Sequence, residues 1–256
     1  MSDTEQGEET IDGGHMSLVE HLNELRNRLI KIALAVAAGA VIIWIFYDPI
    51  LDFLKAPLDE ADPDAVLILT DPLQGLATRF KVSGYGGVAL ATPIILWQLW
   101  RFITPGLYPK ERRYAVPFVA SGVALFVMGA SLAYWTLPRA LSFLIDIGGE
   151  DIEAFYTPDK YIQLIVYMML AFGLGFEFPI ILVFLQLAGL VDYKTLASWR
   201  RYALIGIVVL VAVITPSGDP ISLAVLSVPM YLFYEISILI GRIITRRRVA
   251  AAADAP

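Results

Sequence analysis

Apolar residues run through this chain in blocks of about twenty, separated by short polar stretches, a spacing that predicts membrane-crossing helices. The first block covers about Leu29–Tyr47 and stops at Asp48-Pro49. Residues 48–78 mix apolar and acidic positions with four prolines and read as a structured loop. Further blocks cover about Phe80–Trp100, Ala115–Leu137 and Tyr161–Leu187. The loops between them are basic at 101–113 and acidic at 138–159, and residues 188–202 form another. A short fifth block, about Ala203–Ile214, reaches the turn Thr215–Pro220. A sixth, about Ile221–Ile240, leads into a basic tail. The fifth block is shorter than a hydrocarbon core of ~30 Å requires, so it either thins the bilayer or folds back as a buried hairpin.

Ahead of the first block, "EHLNELRNRL" (Glu20–Leu29) is amphipathic. Ser17 and Glu20 fit a capping box, and Leu18, Leu22, Leu25 and Leu29 fall on one helical face. Residues 1–16 are acidic and glycine-containing and read as a disordered tail. The membrane domain is expected over 17–244, with a cytoplasmic C-terminal tail at 245–256.

Composition agrees with this pattern. The chain is 57% hydrophobic and only 17% charged, and it lacks the ten-residue alternation of a membrane barrel. With an inside N-terminus, only Lys55, Arg79, Lys81, Arg139 and Lys160 face outward among the 19 Lys and Arg residues. This asymmetry predicts six crossings with both termini inside. There are no cysteines, and His15 and His21 both precede the first block, which argues against a metal centre. No nucleophile elbow, zinc-protease motif or phosphate-binding glycine loop occurs, so an enzyme is not expected.

Four acidic positions stand out. Glu177 lies in "FGLGFEFP", with no charged residue for 16 positions before it or 14 after. A carboxylate at that depth costs about 2.5–3.5 kcal/mol on insertion scales, so it faces protein or a cavity. It is either a polar binding point or proton-linked group, or an acid bonded to a neighbouring helix. Pro179 disturbs its helix, while Gly173 and Gly175 permit close approach. Glu24 precedes Arg28 by four residues, a pairing that supports a helix and an inside anchor. Glu24 also shares the inside face with Glu111, and two carboxylates there could grip a guanidinium ligand. Asp219 sits in the outer turn, where cap chemistry and a functional role are both open.

Taken together, "HLNELRNRL", "KAPL", "TPIILWQLWRFITPGLYPKERR", "FGLGFEFP" and "ITPSGDPIS" resemble, in order, the motifs of the TatC family, the signal-peptide receptor of the twin-arginine protein translocase. The likeness covers about residues 17–244. It implies an all-α, six-helix transmembrane bundle, concave and glove-like, with helices five and six short and both termini on the cytoplasmic side of the cell membrane. It implies a receptor for twin-arginine signal peptides that exports folded proteins with TatA- or TatB-type single-span subunits, driven by the proton-motive force. Self-association within a larger complex is expected, as is contact with lipid, but no nucleic acid and no cofactor. By the same likeness Glu24, Glu111, Arg26 and Phe102 form the signal-binding region. Glu177 faces the cavity, Asp219 is the acid between helices five and six, and Pro57 and Pro93 are structural. Leu223 departs from the family, where a glutamine is common. From the residues alone, the alternative is a proton-coupled small-solute secondary transporter that uses Glu177.

Overall fold

The computed structural model describes residues 18–103, 115–149, 155–215 and 218–253. Among them are nine helices: α1 (Leu18–Ile45), α2 (Tyr47–Ala61), α3 (Gln74–Ile103), α4 (Ala115–Gly148), α5 (Pro158–Gly175), α6 (Phe178–Leu187), α7 (Tyr193–Ser198), α8 (Arg200–Ile214) and α9 (Pro220–Ala253). Sheet pairing among the described residues is limited to one parallel bridge, Leu67 to Tyr156, with Ile68 N donating to Tyr156 O at 2.9 Å. Burial, and Asp62 beside it, push the Tyr156 phenol above its ordinary range, so it stays a donor to Asp62 Oδ2 at 3.3 Å.

Among the described residues, five stretches are long and apolar enough to cross a membrane: α1, α3, α4, α9 and the combined α5–α6. The chain is a multi-pass membrane protein. In lipid the driving force for helix association is close packing rather than escape from water, so small residues decide where backbones meet. Helix α1 lies along α3. A Cβ on Gly39 would stand 2.8 Å from Gly87 O, and one on Gly87 would stand 2.7 Å from Val36 O and Ala40 N. Gly87→Val is therefore expected to push α1 off α3 and destabilise the protein by roughly 1–3 kcal/mol, the usual range for overpacking. A lowered midpoint of thermal unfolding in detergent is the readout, and an unchanged midpoint would mean that the two helices can separate freely.

The centre is α5, whose Ile162, Ile165, Met168 and Phe172 are fully buried. It packs on α4 and α3. The helix is interrupted at Phe176 and Glu177, and α6 restarts with a proline in its first turn. Gln186 then ties α6 to α9: its Nε2 donates to Ser237 O at 3.0 Å, and Ser237 Oγ donates to Pro179 O at 3.2 Å. Arg200 grips Glu235 with two bonds, 2.7 and 2.8 Å, and so joins α8 to α9.

Several sequence expectations change here. The stretch 48–78, read as a loop, contains the whole of α2. Its Leu54, Pro57 and Leu58 are buried while Asp48, Asp52, Asp59 and Glu60 face out, so the helix is amphipathic despite its proline. Pro57 has no N–H to offer Phe53 O. The Tyr134 hydroxyl donates to that carbonyl instead, at 2.9 Å. The acidic loop expected from 138 begins only after α4 has run through Pro138 to Gly148, held by the buried Leu137, Ala140 and Leu141. The loop expected at 188–202 contains α7 and the first residues of α8.

Helix six is not short. Helix α9 has 34 residues and continues through 245–253, where a tail was expected. Few strong breakers follow Pro220, and Pro229 is absorbed inside the helix. Helix α8 is short, with 15 residues, or about 22 Å. Trp100, at the end of its apolar block, is buried against Phe118, with ring centroids 4.3 Å apart.

Candidate functional site

The start of α1 and the end of α3 meet at one end of the bundle, and the α1–α3 glycine contact sets how closely. Between them opens a cleft of about 570 Å³, lined by Glu20, Asn23, Glu24, Asn27, Arg28, Lys31 and Arg101. These α1 residues recur at three- and four-residue spacing, so they form one polar stripe of the helix. The stripe is where the sequence places it, but its partners come from α3.

Glu24 is held from two sides. Arg28 Nε donates to Glu24 Oε1 at 3.1 Å, and Arg28 Nη2 donates to the same oxygen. Glu24 Oε2 is buried and has no hydrogen-bond partner among the described residues. His21 Nδ1 stands 3.9 Å from it. The His21 ring stacks on Phe102, with centroids 4.5 Å apart and 17° between planes. Glu24 and Phe102, expected at one site, are thus brought together through His21.

Arg28 reaches across the seam. Its Nη1 donates to Gln98 Oε1 at 3.4 Å and its Nη2 to Arg101 O at 2.9 Å. The carbonyl belongs to the last turn of α3, where unsatisfied C=O groups carry the negative end of the helix dipole and favour a cation. Its side chain is 13% exposed and that of Glu24 is 21% exposed. His21, Arg28 and Gln98 had no assigned role at the site on sequence grounds. Arg28 could be paired with Glu24 by spacing, but nothing local shows Gln98, 70 residues away, closing the arrangement.

Arg26 lies apart. It borders a shallow trough with Leu22, Leu25, Leu29, Ile30 and Ala33, on another face of α1. Glu111 lies outside the described residues.

Glu177 is 7% exposed. Its Oε2 would lie 3.1 Å from a Cβ on Gly122, so α4 has a glycine where the carboxyl rests. Leu96 of α3 lies against the same glycine, and Glu177 Oε1 has no hydrogen-bond partner among the described residues. A separate apolar groove of about 640 Å³ passes Tyr85, Tyr167, Leu174, Gly175, Phe178 and Leu210 without Glu177 on its wall. The acid therefore points toward α3 and α4, not into this groove. Asp219 is 2% exposed and caps α9: Ser222 N donates to its Oδ1 at 2.7 Å, with Pro220 at the first helical position. This geometry gives the cap reading a structural basis. Pro57 and Pro179 are buried, and Pro93 is exposed within α3. Among the described residues no group of three or more His, Asp or Glu side chains is placed to hold a metal ion.

A family model for the Sec-independent protein translocase protein TatC matches residues 20–229. A TatC protein of Frankia casuarinae is 38% identical over 96% of this chain and 70% of its own length. The Aquifex aeolicus protein of that name is also 38% identical, over 91% of this chain and 98% of its own. The Magnetococcus marinus protein is 39% identical, over 92% and 88%. A crystal structure of a twin-arginine translocase receptor TatC superposes with a TM-score of 0.75 at 38% identity, covering 88% of this chain and 100% of that one.

Proposed function

Because the chain belongs to the TatC family of Sec-independent protein translocase proteins, we propose that it is the membrane receptor that captures paired arginines of export signals at the α1–α3 cleft. The observation that carries this reading is Glu24, a carboxylate whose buried Oε2 has no hydrogen-bond partner among the described residues, set beside stacked His21 and Phe102 at the cleft. A guanidinium is the cation that best matches a carboxylate through directed, charge-assisted bonds, and its plane also suits an aromatic neighbour. Glu111, on the segment between α3 and α4, supplies the second carboxylate of this reading.

In the same reading the cleft faces the cytoplasm. Six crossings, counting α8, form a concave bundle in the cytoplasmic membrane with both termini inside. The excess of Lys and Arg on that side supports the orientation. Single-span subunits of the TatA and TatB type assemble with the receptor, and the proton-motive force drives folded cargo across. Export of protein is favoured over proton-coupled movement of a small solute, because Glu177 is off the wall of the apolar groove.

The test is site-specific photocrosslinking from Asn27 and Phe102 in the full chain, in nanodiscs, to a twin-arginine signal peptide. Crosslinks are expected, weakening when both peptide arginines become lysine. Equal crosslinking to a scrambled peptide would sink the reading.

A further inference from the structure

We infer that Arg28 is a resident guanidinium that stands in for an arriving arginine: tethered to α3, it holds one oxygen of Glu24 and so sets the affinity and selectivity of the site. This rests on the reading of Glu24 as the arginine-binding carboxylate.

A guanidinium free to choose lays two parallel N–H groups on the two oxygens of a carboxylate. Arg28 does not. Its Nε and Nη2 both converge on Oε1, while Oε2 is left without a hydrogen bond among the described residues. The reason is on the other helix. Nη1 is drawn to Gln98 Oε1 and Nη2 is shared with Arg101 O. These two bonds from α3 hold the fork across the seam and turn it away from Oε2. The carboxylate is thus half occupied, and its second oxygen lies toward His21 and Phe102.

Two consequences follow from this geometry. An incoming cation meets the charge of Arg28 as well as that of Glu24, so resting affinity is held down. With Oε1 taken, an arriving arginine can use only Oε2, which is buried at rest beside His21 and is reached when that exposed side chain swings aside. A single oxygen distinguishes arginine from lysine poorly, because the advantage of arginine is its planar two-pronged fork. Full discrimination arrives when Arg28 gives up Oε1 and retains its bonds to α3.

The experiment measures binding of a labelled twin-arginine peptide and its twin-lysine counterpart to the full chain in nanodiscs. Arg28→Gln keeps a polar side chain facing α3 and removes the resident charge. It is expected to tighten twin-arginine binding roughly two- to fivefold, the scale of a partly exposed ion pair. Twin-lysine binding should tighten less. Gln98→Leu cuts one tether, lets Arg28 cover both oxygens of Glu24, and is expected to weaken twin-arginine binding. A general loosening of the seam would move both variants in the same direction. The inference is overturned if Arg28→Gln gives no gain, a loss, or an equal gain for both peptides. It is also overturned if Gln98→Leu binds as well as wild type or better. Failure of the underlying reading looks different: wild type would then not prefer the twin-arginine peptide, or Glu24→Gln would bind it undiminished.

Discussion

Glu24→Ala is expected to weaken binding of a twin-arginine peptide by about tenfold to a hundredfold, the cost of losing hydrogen bonds to a charged group, while the protein still folds. The two halves of this expectation have separate causes. Binding falls because the oxygen beside His21, which has no hydrogen-bond partner among the described residues, disappears together with the charge that attracts the ligand. Folding survives because the α1–α3 seam depends on Gly39 against Gly87 and on the bonds from Arg28 to Gln98 and Arg101, none of which needs Glu24. The Glu24–Arg28 pair itself contributes less than about 1 kcal/mol at its partial exposure. Peptide titration alongside thermal unfolding in detergent separates the two. Intact affinity with an intact fold would return Glu24 to the role of a helix-supporting anchor. A collapsed fold would mean that the seam depends on this pair far more than its geometry implies.

The second large effect is expected at Glu177. Glu177→Ala should insert and fold normally, since it removes an acid whose insertion costs roughly 2.5–3.5 kcal/mol on translocation scales. Export of a folded twin-arginine cargo should nonetheless fall at least about tenfold, the equivalent of one lost hydrogen bond to a charged group. The side chain sits where α5 gives way to α6, and Gly122 leaves room for it against α4. A purely structural acid would be expected to bond both oxygens to its neighbours, whereas Oε1 has no hydrogen-bond partner among the described residues. Membrane fractionation checks insertion, and cargo appearance on the far side checks export. Undiminished export in the alanine variant would make Glu177 a packing residue only.

Much of the fold was legible because the bilayer imposes one simple demand on the chain. Each crossing must be a long apolar helix, and hydropathy reads that directly for α1, α3, α4, α5–α6 and α9. The same demand says nothing about segments outside the hydrocarbon. Helix α2 was hidden by Pro57, because a proline in sequence reads as a break. Only the fold brings the Tyr134 hydroxyl to the carbonyl that Pro57 leaves without a donor. The extension of α4 past Pro138 was hidden in the same way. Trp100 stands near the end of a block, and only the fold brings Phe118 and Phe184 from other helices to enclose it.

The candidate site divides along the same line. By itself the sequence determined that Glu24 and Arg28 share a helical face, that Glu177 is alone among apolar residues, and that Asp219 stands in a turn before a helix. These are properties of one segment and follow from the 3.6-residue period and from composition. The tertiary structure alone decided that Arg28 is pulled toward Gln98 and Arg101, that one oxygen of Glu24 is left without a hydrogen bond among the described residues, and that Arg26 faces elsewhere. It alone turned Glu177 toward Gly122, away from the nearby groove. A hydrogen bond between residues 28 and 98 depends on how close two backbones come. That distance is set by Gly39 meeting Gly87, a contact between segments that no local pattern records.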